Sequence, residues 1–368
     1  MKYYVIAGEA SGDLHGANLL RELQQKDSNA TIRAWGGDRM QKQGATLAKH
    51  YRELAFMGFW EVAKNLRTII KNIQFCKKDI AAFCPDTLIL IDYPGFNLRI
   101  AQWAKANHIK VHYYISPQVW AWKENRVKKM KQVIDYLYVI LPFEKAFFEE
   151  KHQFPVDFVG HPLLDEVTRF DAGSETAFRK ENSLPKDKPI VALMPGSRTQ
   201  EVRKMLTVMA ATAIQFPDYC FVVAAAPHLS ASLFEGLPVY VVKNKTYTLL
   251  AHAKAALVTS GTATLETALF EVPQVVCYKT SSLSYIIGKQ VINLPFISLV
   301  NLILNTEAVP ERIQSACNSK QLATDLKALL NGEKRQQQLS AYKTLKNTLG
   351  GSGASEKVAQ LITQRTHA

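Results

Sequence analysis

Short runs of β-branched, aromatic and other apolar residues alternate with helical patterns along the whole chain, and this alternation restricts the fold more than any other feature. Candidate strands in the first half are Tyr3–Ala7, Thr31–Trp35, Thr87–Ile91, Val111–Ile115, Tyr136–Ile140 and Asp157–Val159. In the second half they are Ile190–Met194, Phe221–Ala225, Val239–Val242, Ala255–Val258 and Val275–Tyr278. Helical segments such as Leu14–Gln25, Trp60–Phe83 and Arg203–Phe216 lie between them. Apolar strands that alternate with helices belong in parallel sheets covered on both faces, so the fold class is α/β. The series pauses over the polar stretch Asp165–Lys188, and 368 residues suit two domains of ~100–200 residues each. We place the domains at 1–170 and 171–345. Segment 346–368 follows as a C-terminal helix that could pack back on the first domain.

Other classes fall away on composition. With 47% apolar residues and 21% charged, the chain can fill two cores and is neither disordered nor stapled by disulfides. Its longest apolar runs, such as Tyr136–Phe143, stop far short of the ~18–20 residues that span a bilayer. The start of the chain reaches Gly8 and Glu9 too soon for a signal peptide. Cys76, Cys84, Cys220, Cys277 and Cys317 are odd in number and lack C-x-x-C spacing, which favours reduced thiols over a disulfide set or zinc site. The net charge of +13 divides evenly, +6 over residues 1–165 and +7 over the rest. Such a balance favours nucleic acid, an acidic membrane surface or a phosphorylated substrate, or is simply a solvated basic surface.

The two halves begin alike. Tyr3–Ala7 runs into Gly8-Glu9-Ala10-Ser11-Gly12-Asp13, and Ile190–Met194 into Pro195-Gly196-Ser197-Arg198. Ligands of open α/β sheets bind beyond the carboxyl ends of strands, so two sheets facing one another across a cleft would bring both loops to one site. Neither loop has the glycine spacing of a dinucleotide or P-loop phosphate site, which leaves nicotinamide and ATP chemistry without its main support.

Ser260-Gly261-Thr262-Ala263-Thr264-Leu265-Glu266 opens a helix after an apolar strand. Its small residues let backbone N–H groups and the positive helix end meet a phosphate, although a plain Ser/Thr cap has the same look. Glu266 could accept a pair of sugar hydroxyls. Arg198 at the tip of the second turn could fork two phosphate oxygens; two anion-ready turns in one half suit a nucleoside diphosphate. Asp92 ends the strand Thr87–Ile91, where a carboxylate could take a proton from an attacking hydroxyl or merely close a turn. His15, His112 and His161 are alternative bases, each as readily structural. Phe56, Met57, Phe59 and Trp60 precede a helical pattern carrying Lys64, Arg67, Lys71 and Lys78, which reads as a membrane contact, an acyl pocket or core. Trp120 and Trp122 stand before Arg126, Lys128, Lys129 and Lys131, an arrangement that can stack sugars or meet a membrane interface. No nucleic-acid signature accompanies it.

In order along the chain, these segments resemble the lipid-A-disaccharide synthase family of GT-B glycosyltransferases. The resemblance rests on Ala7–Asp13, Gly36-Gly37, Ile91-Asp92 with Phe96-Asn97, Ser116–Trp122, Leu141–Glu144, Val159–Pro162, Pro195–Arg198, Ser260–Glu266 and Val300-Asn301. It implies two Rossmann-like domains, an N-terminal one facing acceptor and membrane and a C-terminal one binding UDP-sugar. The implied reaction is that of an inverting hexosyltransferase of lipid A biosynthesis. It moves 2,3-diacylglucosamine from UDP-2,3-diacylglucosamine to the 6-hydroxyl of 2,3-diacylglucosamine 1-phosphate, giving a β-1,6-linked disaccharide 1-phosphate and UDP. No metal or other cofactor is implied. Asp92 would be the base. Gly196, Ser197, Arg198, Ser260, Gly261, Thr262, Glu266, Asn301 and Gln314 would border the UDP-sugar, with Gly8, Glu9, Ser11, Gly12 and Asp13 on the acceptor side. The expected location is cytoplasmic, against the anionic inner face of the inner membrane. Where many members carry an acid, this chain has Gly95, which leaves Asp92 alone in its turn.

Two other readings use the same turns. One is a different GT-B enzyme, a UDP-sugar 2-epimerase or a lipid II N-acetylglucosaminyltransferase; the other is a non-catalytic binder of nucleotide sugar or anionic lipid. The oligomeric state stays open.

Overall fold

A computed structural model describes residues 1–54, 66–281, 285 and 294–367. The chain divides into two units, Met1–Asp165 with Leu349–Ala368, and Glu166–Thr348. These breaks fall a few residues from positions 170 and 345.

The first unit is built on seven parallel strands: β1 (Lys2–Ala7), β2 (Thr31–Gly36), β3 (Thr46–His50), β4 (Thr87–Ile91), β5 (Lys110–Tyr114), β6 (Tyr136–Val139) and β7 (Asp157–Phe158). Their spatial order is β3-β2-β1-β4-β5-β6-β7. The period-two alternation of a strand sends successive side chains to opposite faces. Tyr4, Ile6, Leu88, Leu90, Val111 and Tyr113 pack on one face with Cys76, Ile80, Ile100 and Met130 from its covering helices. Tyr3, Val5, Ile89, Ile91 and Tyr114 pack on the other with Leu19, Leu20 and Leu23. Both faces are buried, which is why these strands carry no polar stripe.

The second unit repeats the plan with β8 (Ile190–Met194), β9 (Cys220–Ala225), β10 (Tyr240–Lys243), β11 (Ala253–Thr259), β12 (Gln274–Tyr278) and β13 (Glu311–Ile313). Their order is β10-β9-β8-β11-β12-β13. Val191, Leu193 and Leu257 meet Val202, Met205, Leu322 and Leu326 on one face, while Ala192, Met194 and Val258 meet Leu249 and Leu250 on the other. Both units are therefore Rossmann-like parallel sheets, with the strand order reversing beside the first strand. Strands β3 and β13 escape the sequence pattern. Each lies at a sheet edge, where one side needs no partner and Lys49, His50, Glu311 and Arg312 are tolerated.

The last helix, Ala354–His367, lies against Ala10–Lys26 in the first unit, with Val358, Ala359 and Ile362 fully buried there. The Asp165 carboxylate accepts from the N–H groups of Gly353 at 2.5 Å and Ser355 at 3.1 Å, which caps that helix. At its other end the Arg365 guanidinium donates to both Asp157 oxygens, at 2.5 and 3.1 Å. Among the described residues no helix is long and apolar enough to cross a membrane. Ile362→Ala should remove a filled contact and destabilise the first unit by about 2–4 kcal/mol. Urea unfolding followed by circular dichroism checks this, and an unmoved transition would contradict the packing described.

Candidate active site

In each sheet the order reverses between two adjacent strands, β1 and β4 in the first and β8 and β11 in the second. The loops leaving those strands diverge to opposite faces and leave a crevice at the carboxyl edge. Ala7 pairs with Ile91, so Gly8 and Asp92 emerge side by side; Met194 pairs with Val258, so the loops at Gly196 and Ser260 do the same.

Asp92 and Tyr93 both have left-handed backbones, with φ of 45° and 49°. Two successive non-glycine residues there are strained and need surrounding structure to hold them. The Asp92 carbonyl accepts from Asn97 Nδ2 at 2.7 Å and from the Tyr113 hydroxyl at 2.6 Å, while its N–H donates to the Tyr114 carbonyl at 3.0 Å. The backbone is fixed at every polar atom. The carboxylate is half-buried, and that burial, with the negative charge of Glu9 adding to it, raises its pKa to about 6; the Tyr93 N–H works the other way. A base that is ionised at neutral pH but still basic suits proton abstraction from a hydroxyl.

Gly8 has a packing reason as well as a loop reason. A Cβ there would lie 2.3 Å from Tyr93 Cδ1, so the ring that follows Asp92 occupies the space of a side chain. Gly12 brings its helix close to β1, where a Cβ would meet that of Ala7 at 3.1 Å. Glu9 and Ser11 are exposed at the mouth of this loop. Asp13 is employed differently from the acceptor contact that the resemblance implies. It is buried, and its carboxylate accepts from the N–H groups of Gly37 at 2.7 Å and of Arg39 and Met40 at 3.1 Å each. It organises the Gly36-Gly37 turn instead.

The three histidines are weak candidates for the base. Burial lowers His15 to about 4 and His112 and His161 to about 3, so all stay neutral. His112 Nδ1 is committed to the Tyr138 hydroxyl at 2.8 Å, and His161 Nδ1 accepts from Leu163 N–H at 3.2 Å.

In the second unit Gly196 has φ of 102°, a left-handed turn that favours glycine, and Gly261 at φ 148° caps the helix Thr262–Leu269. Among the described residues nothing lies within 4 Å of a Cβ built on Gly261, so they leave open space before the helix start. That first turn carries no acid, and Gly261 and Thr262 are exposed. Arg198 is also exposed, meeting Glu201 at 3.2 Å, and the Ser197 carbonyl lies 2.9 Å from His228 Nε2. Burial raises the Glu266 pKa, and the Tyr247 hydroxyl donates to its Oε1 at 3.2 Å.

Asn301, expected at the border of the UDP-sugar, has its side chain taken up by protein partners. It is fully buried; its amide donates to the Val309 carbonyl at 2.8 Å and Glu311 Oε1 at 2.9 Å, and its oxygen accepts from Val309 N–H at 2.9 Å. Glu311, absent from the sequence reading, also accepts from the N–H groups of Ile297 and Ser298 at 2.9 Å each. The Ile297 carbonyl in turn accepts from Ser260 Oγ at 2.7 Å, so Glu311 braces the anion-ready loop through one peptide. Gln314 pins Thr280 by accepting from its N–H at 2.9 Å. Phe56, Met57, Phe59 and Trp60 lie outside the described residues. The helix that follows, Leu66–Phe83, exposes Ile70 and Phe75 beside Arg67, Lys71 and Lys78.

A family model described as lipid-A-disaccharide synthetase matches residues 3–364. The chain belongs to the lipid-A-disaccharide synthetase family. A lipid-A-disaccharide synthase of Syntrophus aciditrophicus is 39% identical over 367 residues, covering 96% of this chain and 95% of that one. One from Coxiella burnetii is 37% identical over 366 residues, covering 97% and 96%. Membership makes this chain a glycosyltransferase of lipid A disaccharide synthesis. Solved structures with the same fold include the UDP-GlcNAc 2-epimerase from Neisseria meningitidis bound to UDP-GlcNAc, at a TM-score of 0.70 and 12% identity, covering 99% of this chain and all of that one. The glycosyltransferase of kitacinnamycin superposes at 0.69 and 12% identity, covering 99% and 98%. At that identity the likeness is one of fold alone, and the epimerase reading is not favoured over the synthetase family.

Gly8→Ala should displace the Tyr93 ring and with it the strained Asp92 elbow. The expected outcome is at least about a tenfold fall in turnover with the thermal midpoint nearly kept, since a misplacement of 1 Å can cost about a hundredfold. Full activity in the variant would show that the elbow does not depend on Gly8.

Proposed function

We propose that the chain transfers 2,3-diacylglucosamine from its UDP ester to the 6-hydroxyl of 2,3-diacylglucosamine 1-phosphate, with Asp92 as the general base. The acceptor oxygen forms its bond to the anomeric carbon as the bond from that carbon to the diphosphate breaks. The leaving oxygen keeps the electron pair and departs as UDP, while the hydroxyl proton passes to Asp92. One displacement through an oxocarbenium-like transition state inverts the anomeric configuration.

The raised carboxylate at the end of β4 carries this reading. A solvated aspartate would be a poor proton acceptor, whereas Asp92, half-buried and under the negative charge of Glu9, holds its proton up to about pH 6. Charge develops on the departing diphosphate, and groups aimed at that charge lower the barrier. Arg198 and the N–H groups at Gly261 and Thr262 supply them, and both helix starts follow the two central strands of their sheet. Glu266 takes the ribose hydroxyls, Ser197 and Gly196 shape the turn, and Asn301 and Gln314 steady the border. Gly8, Glu9, Ser11 and Gly12 line the acceptor side. Both lipids are anionic, which suits the +13 balance. Exposed Ile70 and Phe75 among cations on Leu66–Phe83 suit peripheral work at an anionic inner-membrane surface.

UDP release from UDP-2,3-diacylglucosamine should require the acceptor lipid phosphate; release that ignores the acceptor would sink the reaction. Asp92→Asn should lower turnover by about 10²–10⁴-fold with UDP still bound, as for loss of a general base. The wild-type rate should fall on acidification with a midpoint near pH 6, because protonated Asp92 cannot accept a proton. Glu9→Gln removes a charge that raises that pKa, so the acid limb should move to lower pH. An unmoved limb would assign it to another group.

A further inference from the structure

We propose that Lys123 and Arg126, held over the ring of Trp122, bind the phosphate monoester of the acceptor lipid. This rests on the reaction above, in which the acceptor carries a 1-phosphate.

The platform is built rather than loose. Trp122 ends a short helix, Val119–Trp122, whose first residue is buried. Trp120 is drawn inward by Glu144, a buried carboxylate that accepts from the indole N–H at 3.2 Å and from the N–H groups of Ile140 at 3.1 Å and Leu141 at 2.9 Å. Two residues further on, Trp122 faces outward and is 52% exposed. Lys123 Nζ lies 4.0 Å and Arg126 Cζ 5.9 Å from its ring centroid. The Arg126 N–H donates to the Lys123 carbonyl at 3.0 Å, so one turn of backbone holds both cations to the same ring.

Among the described residues neither Lys123 nor Arg126 meets a carboxylate within ion-pair distance. Glu124, the acid between them, is taken by Lys151 at 2.8 Å and His152 at 3.0 Å. Arg126 also begins the helix Arg126–Val133, whose first turn has no acid and continues with Lys128 and Lys129. Cations at the positive end of a helix are unfavourable alone, and an anion bound there relieves both. A guanidinium and an ammonium over an aromatic ring suit the several oxygens of a phosphate monoester.

The position fits the acceptor. β5 pairs with β4, and Tyr113 on β5 donates to the Asp92 carbonyl, so segment 116–126 leaves the same sheet edge one strand away from the base. The helices that begin at Pro94 and Arg126 pack together on that side. In the acceptor, the 6-hydroxyl is carried on C5 and the 1-phosphate on C1, the two carbons that flank the ring oxygen. A hydroxyl at Asp92 therefore keeps the phosphate within one sugar's width, where a loop one strand away can meet it.

The test compares the full-length wild type with Lys123→Ala/Arg126→Ala, using short-chain 2,3-diacylglucosamine 1-phosphate and its dephosphorylated counterpart. Calorimetry reads binding, and UDP release reads turnover. The wild type should prefer the phosphorylated lipid, and the double variant should lose that preference. Its acceptor KM should rise about 10- to 100-fold, the size expected for charge-assisted contacts, while the UDP-sugar KM moves less than about twofold. Arg126→Lys should keep part of the preference, and Lys327→Ala, a surface cation of the second unit, should keep all of it. A double variant that still prefers the phosphate overturns the proposal. So does one that loses only its sedimentation with phosphatidylglycerol vesicles, because the cations would then serve lipid headgroups. Phosphate-dependent binding in a wild type that releases no UDP would overturn the reaction and leave this site standing.

Discussion

A parallel strand cannot be joined to its neighbour by a tight turn, so every connection must return across a face of the sheet. The rest of this molecule depends on that constraint. It buries both sheet faces, which demands the continuous apolar strands. It also sends every loop that can carry function to the carboxyl edge. Where the order reverses, at β1/β4 and β8/β11, loops part to opposite faces. Asp92 with Gly8 and Glu9, and Arg198 with Ser260 and Gly261, are the residues at those two places.

The two crevices are electrostatic opposites. At Asp92, burial and Glu9 work against negative charge, which makes the carboxylate a willing proton acceptor. At Gly261 a helix start that is open among the described residues, and beside Gly196 an exposed guanidinium, welcome it. Glycosyl transfer needs both, a base for the incoming hydroxyl and positive groups for the leaving diphosphate. Local strain is concentrated at the first, where Asn97 and Tyr113 spend their hydrogen bonds on the backbone of Asp92 rather than on its carboxylate.

Much of the architecture was legible because burial on two faces writes itself directly into strand composition. The strands Thr87–Ile91 and Ile190–Met194 could be read to the residue. The edge strands β3 and β13 could not, because an edge tolerates the polar residues that a central strand excludes. In the site, sequence picked out chemistry-bearing residues but could not say where their atoms are spent. Asp13 and Asn301 look like ligand residues, yet backbone groups and Glu311 occupy their side-chain atoms. Glu311 gave no signal at all, since a lone glutamate in a short polar strand resembles any surface acid. Phe56, Met57, Phe59 and Trp60, read from sequence as a membrane contact, an acyl pocket or core, lie outside the described residues.

The sequence by itself determined the α/β class, the two-part chain, the strand-end loops and the family, because each is written in local order: alternation, glycine turns and motifs in register. Tertiary structure decided what those residues do to one another. The Asp92 pKa comes from a burial and a neighbouring charge 83 positions away in the chain. The need for Gly8 comes from a tyrosine ring in the turn after another strand, and the fate of Asn301 from contacts across a loop. Such effects arise only when distant segments are packed side by side, where exclusion of water makes a charge or a missing methyl group count.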